Sequence, residues 1–215
     1  MEKGAEGGNV GAARSLGITY RLGLGIARNE FESLKWYNKA ALAGDFSSQA
    51  DLCDSVFKNG IDQPFTSAEA YKEAIKWCEV LANKTSSRNP DGLELMYSRS
   101  ADNLGLIYRD GLGVPQDYAE AVKWFRRAAE AGNGDAQDHL GLMYMAGQGV
   151  TRDYIFAHMW FNLATVNRIS RFDYNRASDD RDAVAARMTP DQIAEAQRLA
   201  QEWQRNHTHA AQHDP

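Results

Sequence analysis

The stretch Asn103-Leu104-Gly105-Leu106-Ile107-Tyr108, followed by Gly111-Leu112-Gly113-Val114, Asp117-Tyr118, Lys123-Trp124-Phe125 and Ala128-Ala129-Glu130-Ala131-Gly132-Asn133, recurs along the chain. Thirty-six residues on it becomes Leu140-Gly141-Leu142-Met143-Tyr144, Gly147-Gln148-Gly149-Val150, Asp153-Tyr154, Trp160-Phe161 and Ala164. A further copy lies upstream as Leu16-Gly17-Ile18-Thr19-Tyr20, Gly23-Leu24-Gly25-Ile26, Trp36-Tyr37, Ala40-Ala41 and Gly44. All three keep a 20-residue step from Leu to Trp. Self-similarity at this period is the mark of a helical repeat array.

A degenerate copy lies between. Phe57 and Gly60 stand at the Tyr and Gly places, which puts Cys53 on the Leu place and Lys76-Trp77-Cys78 on the Trp motif. Gly60 to Trp77 is 17 residues against 13 elsewhere, so Ile61 to Phe65 reads as a loop with about four extra residues. Lys84 to Pro90 is a second polar insertion, ending in the loop Asn89-Pro90-Asp91-Gly92. Lys3-Gly4-Ala5-Glu6-Gly7-Gly8-Asn9 lines up with Arg127 to Asn133, which suggests upstream repeats.

Each unit reads as two helices. Gly-x-Gly stops the first because Gly tolerates positive φ. Asn29, Asp117 and Asp153 stand where the second helix needs an N-cap. Trp124 with Ala121, Ala128 and Ala131 falls on one helical face. Gly17, Gly105 and Gly141 lie mid-helix, where Gly costs ~1 kcal/mol against Ala. A cost repeated three times implies that a neighbouring helix, or the repeat's Trp, packs against the missing side chain. Beyond Phe161, Asp173 to Arg187 reads as helical, and Thr189-Pro190-Asp191-Gln192 is a capping-box helix start. That last helix should close the stack, leaving Asn206 to Pro215 frayed.

Composition agrees. The 215 residues are 43% hydrophobic and include 31 Ala but only 8 Val and 8 Ile, a balance that favours helix over strand. The net charge of −5 argues against a general nucleic-acid binder. No apolar run is long enough to span a bilayer, and Met1 to Gly11 has no signal-peptide core. The chain as given reads as cytoplasmic, and as periplasmic or secreted if an upstream signal precedes it. Cys53 and Cys78 lie among apolar helical positions and read as buried free thiols. A helix-to-helix disulfide is the alternative.

The pattern Leu-Gly-x-x-Tyr, Gly-x-Gly-Val, Asp-Tyr, Lys-Trp-Phe and Ala-Ala-x-x-Gly resembles the Sel-one-like repeat of the tetratricopeptide superfamily. The resemblance covers about residues 1–168, and Met188 to Ala196 is similar to the tail that closes many bacterial members. It implies an all-α, right-handed α-α superhelix. The partial repeat end is 1–9, the repeats are about 10–45, 46–84, 91–133 and 134–168, the helical cap is 169–205 and the tail is 206–215. Some members carry cysteines seven residues apart that form disulfides, a spacing that Cys53 and Cys78 do not match.

The resemblance also implies a scaffold or adaptor that binds a protein or peptide on the concave face lined by the first helices, with no catalysis and no cofactor. The residues placed there are Arg14, Arg21, Asp51, Lys58, Asp102, Asn103, Arg109, Asp138, His139 and Met145. Asn103 stands where related repeats clamp a peptide backbone. Alternatives are a fragment of a longer exported, envelope-associated or host-interaction repeat protein, end-to-end self-association, and a penicillin-recognising hydrolase. The hydrolase reading rests on Ser55-Val56-Phe57-Lys58, with faint echoes at Lys84-Thr85-Ser86 and Ser178-Asp179-Asp180. An α-array lacks the mixed sheet such enzymes need. The Gly-x-Gly pairs follow no strand, so they are turns and not a dinucleotide site. His207, His209 and His213 have no supporting shell for zinc, and His158 reads as a packing or surface histidine. Arg168, Arg171, Arg176 and Arg181 are offset by Asp173, Asp179, Asp180 and Asp182, as on a solvated face.

Overall fold

In the computed structural model, residues 2–57, 65–84, 93–167 and 176–212 are described. Eleven helices occupy them, with no strand among the described residues. The chain divides into two compact units, Met1–Thr85 and Ser86–Pro215. The first holds α1 (Glu2–Glu6), the pair α2 (Val10–Leu22) and α3 (Glu30–Leu42), and the pair α4 (Phe46–Cys53) and α5 (Ala68–Ala82). The second holds the pairs α6 (Glu94–Asp110) with α7 (Tyr118–Glu130) and α8 (Gly134–Ala146) with α9 (Tyr154–Asn167), then α10 (Arg176–Ala185) and α11 (Pro190–Gln212). Within each unit the described residues form the all-α helix pairs that the repeat implies.

The caps come from the residues the sequence marks. Asn29 and Asp117 accept from the backbone N–H of Glu32 and Glu120, at 3.1 and 2.9 Å. Asp153 accepts from Ile155 and Phe156. First helices are capped the same way, by Asn9, Asp45 and Asn133. Gly23, Gly111 and Gly147 end α2, α6 and α8 at φ of 69° to 72°, a conformation costly for any residue with a Cβ. Gly8, at φ 89°, stands where Gly44 and Gly132 follow α3 and α7, so α1 reproduces the last turn of a second helix. Its Ala5 is fully buried with Ala13, Leu16, Trp36 and Ala40.

The mid-helix glycines have a shared reason. A Cβ on Gly17 would lie 2.9 Å from the Tyr37 ring, on Gly105 2.4 Å from Phe125, and on Gly141 2.7 Å from Phe161. The ring that fills the missing side chain is therefore the residue after the Trp, not the Trp itself. Phe125 and Phe161 are fully buried by this contact, which is worth roughly 2–3 kcal/mol each relative to exposure.

The second pair departs from this. Cys53 and Cys78 are joined in a disulfide, with Cα atoms 4.8 Å apart, and are not free thiols. The expected register also shifts by one. Asp45 caps α4 as Asn9 caps α2, and Gln49 donates to Ala41 O as Gln137 does to Ala129 O, both at 3.1 Å. Leu52 therefore takes the Leu place and Cys53 the Gly place, while Cys78 takes the ring place of Tyr37, Phe125 and Phe161. The expected register rests on Phe57 and Gly60, where the sequence spacing to Trp77 is four residues longer than in the other copies, and this accounts for the slip. Phe65, at the end of the expected loop, is nonetheless buried: it is 1% exposed, and its N–H donates to Ser55 O at 2.8 Å.

Thr189 and Gln192 form the expected reciprocal capping box at the start of α11. The helix runs through Asn206 to Gln212, where fraying was expected. His207 stacks on Trp203 one turn earlier, with ring centroids 3.7 Å apart, and Trp203 meets Trp160 edge-on.

Candidate functional site

The expected binding residues lie on the first helices, where one spacing governs their contacts. In the first unit, Arg14 on α2 donates to Asp51 on α4, with Nη2 to Oδ2 at 3.1 Å. In the second, His139 Nδ1 on α8 lies 2.8 Å from Asp102 Oδ1 on α6. Both pairs are 37 residues apart. With a 36-residue period, a residue thus meets the position one beyond its counterpart in the next repeat. These side chains occupy equivalent places, and within each unit they hold successive first helices in register.

Exposure separates the expected residues. Arg14 and Asp51 remain 38% and 31% exposed, so this pair contributes little to stability but keeps its charge available. Arg21 is buried near the end of α2. Its guanidinium lies over the Phe65 ring, 5.4 Å from the centroid. Arg28 approaches the same ring. Phe65 is the aromatic that sequence reasoning missed here; its position after an altered turn hid it. Lys58 lies outside the described residues.

In the second unit Asp102, Asn103 and Asp138 are buried, and His139, Arg109 and Met145 are partly exposed. Asp138 Oδ2 pairs with Arg176 on α10 at 3.6 Å. Arg109 forks onto Asp110 at 2.7 and 2.8 Å. Burial alone would lower the His139 pKa, but the Asp102 carboxylate and its hydrogen bond outweigh it, so the net shift is upward. The imidazole also lies 5.0 Å from the Phe125 ring, which ties this pair to the glycine–ring contact beneath it.

The other motifs are absorbed by packing. Ser55 is fully buried, and its hydroxyl donates to Leu52 O at 2.7 Å at the end of α4. His158 is buried on α9, with its pKa lowered by burial and then by Arg181. Arg181 forks onto Asp182 and Arg176 lies near Asp180, so the basic cluster is neutralised where it is described. Lys84-Thr85-Ser86, Arg168, Arg171 and Asp173 lie wholly or partly outside the described residues, as do the side chains of His209 and His213. Among the described residues, no group of three His, Cys, Asp or Glu could hold a metal ion, and no helix is long and apolar enough to cross a membrane.

Comparison with known proteins places this geometry. The family described as Sel1 repeat matches residues 10–45, 98–133 and 134–165. Its matches leave out the pair that carries the disulfide. A crystal structure of a protective antigen present in uropathogenic Escherichia coli strains, displaying an SLR fold, is 33% identical with a TM-score of 0.67. The alignment covers 94% of this chain and 39% of that one, so the chain spans about two fifths of the antigen's length. A Sel1 repeat protein from Oxalobacter formigenes has the same fold at 24% identity, with 91% of this chain and 71% of that one covered and a TM-score of 0.56. No curated protein matches the chain.

Proposed function

Because this is a Sel1 repeat protein, built on a fold that typically mediates protein–protein interaction, we propose that it is a non-catalytic scaffold that holds a protein or peptide on the first-helix face of its units. The observation that supports this reading is the equivalence of Arg14–Asp51 and Asp102–His139. Within each unit, adjacent register positions of successive first helices carry a charged pair, partly open to solvent at Arg14–Asp51 and largely buried at Asp102–His139. In the first unit such a face suits a mixed-charge peptide, extended or helical, whose charges meet the partly exposed Arg14 and Asp51.

The test is site-specific photo-crosslinking in the native source. A photoreactive residue replaces Arg14, Arg109 or, as a control, the exposed second-helix residue Lys123. Adducts at 14 and 109 but not at 123 support the first-helix face. Adducts at 123 alone reject it. A second reading draws on the antigen, whose length exceeds this chain's more than twofold: the chain is one segment of a longer exported repeat protein. Flanking repeats and an export signal in the natural gene would support it, and their absence would reject it.

A further inference from the structure

We propose that the Cys53–Cys78 bridge is the lock of the α4–α5 pair, set in an oxidising compartment, and that this pair does not hold its packing without it. The first ground is the position of the two cysteines. Three pairs close on a glycine facing a ring: Gly17 on Tyr37, Gly105 on Phe125 and Gly141 on Phe161. The fourth has cysteine at both places and joins them. Neither change works alone. A side chain at the glycine place would overlap the ring, since the Cβ positions fall at 2.4–2.9 Å from it. A cysteine at the ring place opposite glycine would leave the ring's volume empty. The two changes make sense together, and only as a bond.

The second ground is what the pair lacks. α4 has 8 residues where α2 and α8 have 13, and α4 ends at Cys53 itself. Its cap is Asp54, in a right-handed conformation, with no left-handed glycine like Gly23 or Gly147. The bridge thus fixes the last residue of the shortest first helix to the C-terminal half of α5. Cys53 and Cys78 are 1% and 0% exposed, so a thiol in solution cannot reach either sulfur until the pair opens. This describes a structural bond and not an exposed switch.

The chemistry constrains where the bond is made. Forming it takes two protons and two electrons from the thiols; a disulfide-bearing oxidant accepts them by exchange and leaves as a dithiol. Such bonds persist outside the reducing cytosol. The proposal therefore places the working chain in an extracytoplasmic compartment.

Two measurements on the full chain test it. The protein is unfolded in denaturant and refolded with or without a phosphine reductant, and amide hydrogen exchange is then followed. Reduction should lower the protection of α4 and α5 on the order of a hundredfold, the size expected for freeing a loop of this length, and leave α8 and α9 unchanged. Equal protection in both states, or equal loss in both units, would overturn the lock. In cells of the native source, acid quenching and thiol alkylation should label neither cysteine before reduction. Two labelled thiols would overturn the oxidising compartment.

Discussion

The α4–α5 and α6–α7 pairs solve the same packing problem with different chemistry. In α6–α7 the helices approach because Gly105 has no side chain and Phe125 fills the space. In α4–α5 the equivalent places are tied covalently. The first solution uses shape and dispersion and works in any redox environment. The second tolerates a short helix and an altered turn, but it depends on an oxidant. A repeat can thus drift far from its pattern, far enough to fall outside the family match, while one contact keeps its place in the fold.

The comparison breaks most visibly if the ring is removed. Phe125→Ala leaves Gly105 facing a cavity and should cost about 3–5 kcal/mol in chemical denaturation of the second unit. A cost below about 1 kcal/mol would mean the ring is not the keystone of the pair. Filling the other side is the milder change. Gly105→Ala forces a Cβ against Phe125 and should destabilise by roughly 1–3 kcal/mol, against the ~1 kcal/mol that alanine brings to a helix interior. Net stabilisation would show that the ring yields easily. The caps, by contrast, are common to both pairs. Asp117→Ala and Ser67→Ala should each cost about 1 kcal/mol, since both residues accept from a first-turn N–H. A large inequality would place the difference between the pairs at their turns and not at the central contact.

The smallest expected effect is a dependence on pH. The folded pKa of His139 lies above its ordinary value, near 6.5. Its stabilising contribution is therefore complete below that value and is lost as pH rises through the folded pKa. Subtracting the pH profile of Asp102→Asn from that of the natural protein isolates this contribution, because the opposing downward shift of His158 is common to both. A difference profile that is flat from the ordinary value upward would contradict the pairing. Thermal unfolding across that range is the readout.

Much of this was legible in the sequence. Recurring Leu, Gly and Trp places gave the helix pairs because each residue answers a local need: a buried stripe, a close approach, a large apolar surface. Asn29, Asp117, Thr189 and Gln192 announced their helix starts in the same way. The disulfide stood in the sequence only as the alternative to free thiols, since Cys53 and Cys78 are 25 residues apart and the longer spacing from Gly60 to Trp77 shifted the alignment by one. Anchoring on the caps Asn9 and Asp45 would have put Cys53 opposite Cys78. The contacts among Arg14, Asp51, Asp102 and His139 were also hidden, because each residue was read within its own repeat. Their shared spacing of 37 was the available clue.

The most direct test restores the regular contact in the divergent pair. Cys53→Gly with Cys78→Phe gives α4–α5 the residues that α6–α7 carries at Gly105 and Phe125. Measured by denaturant unfolding, this double variant should lose all sensitivity to reductant and be more stable than the reduced natural protein. A variant no more stable than the reduced natural protein would contradict the equivalence of the two contacts.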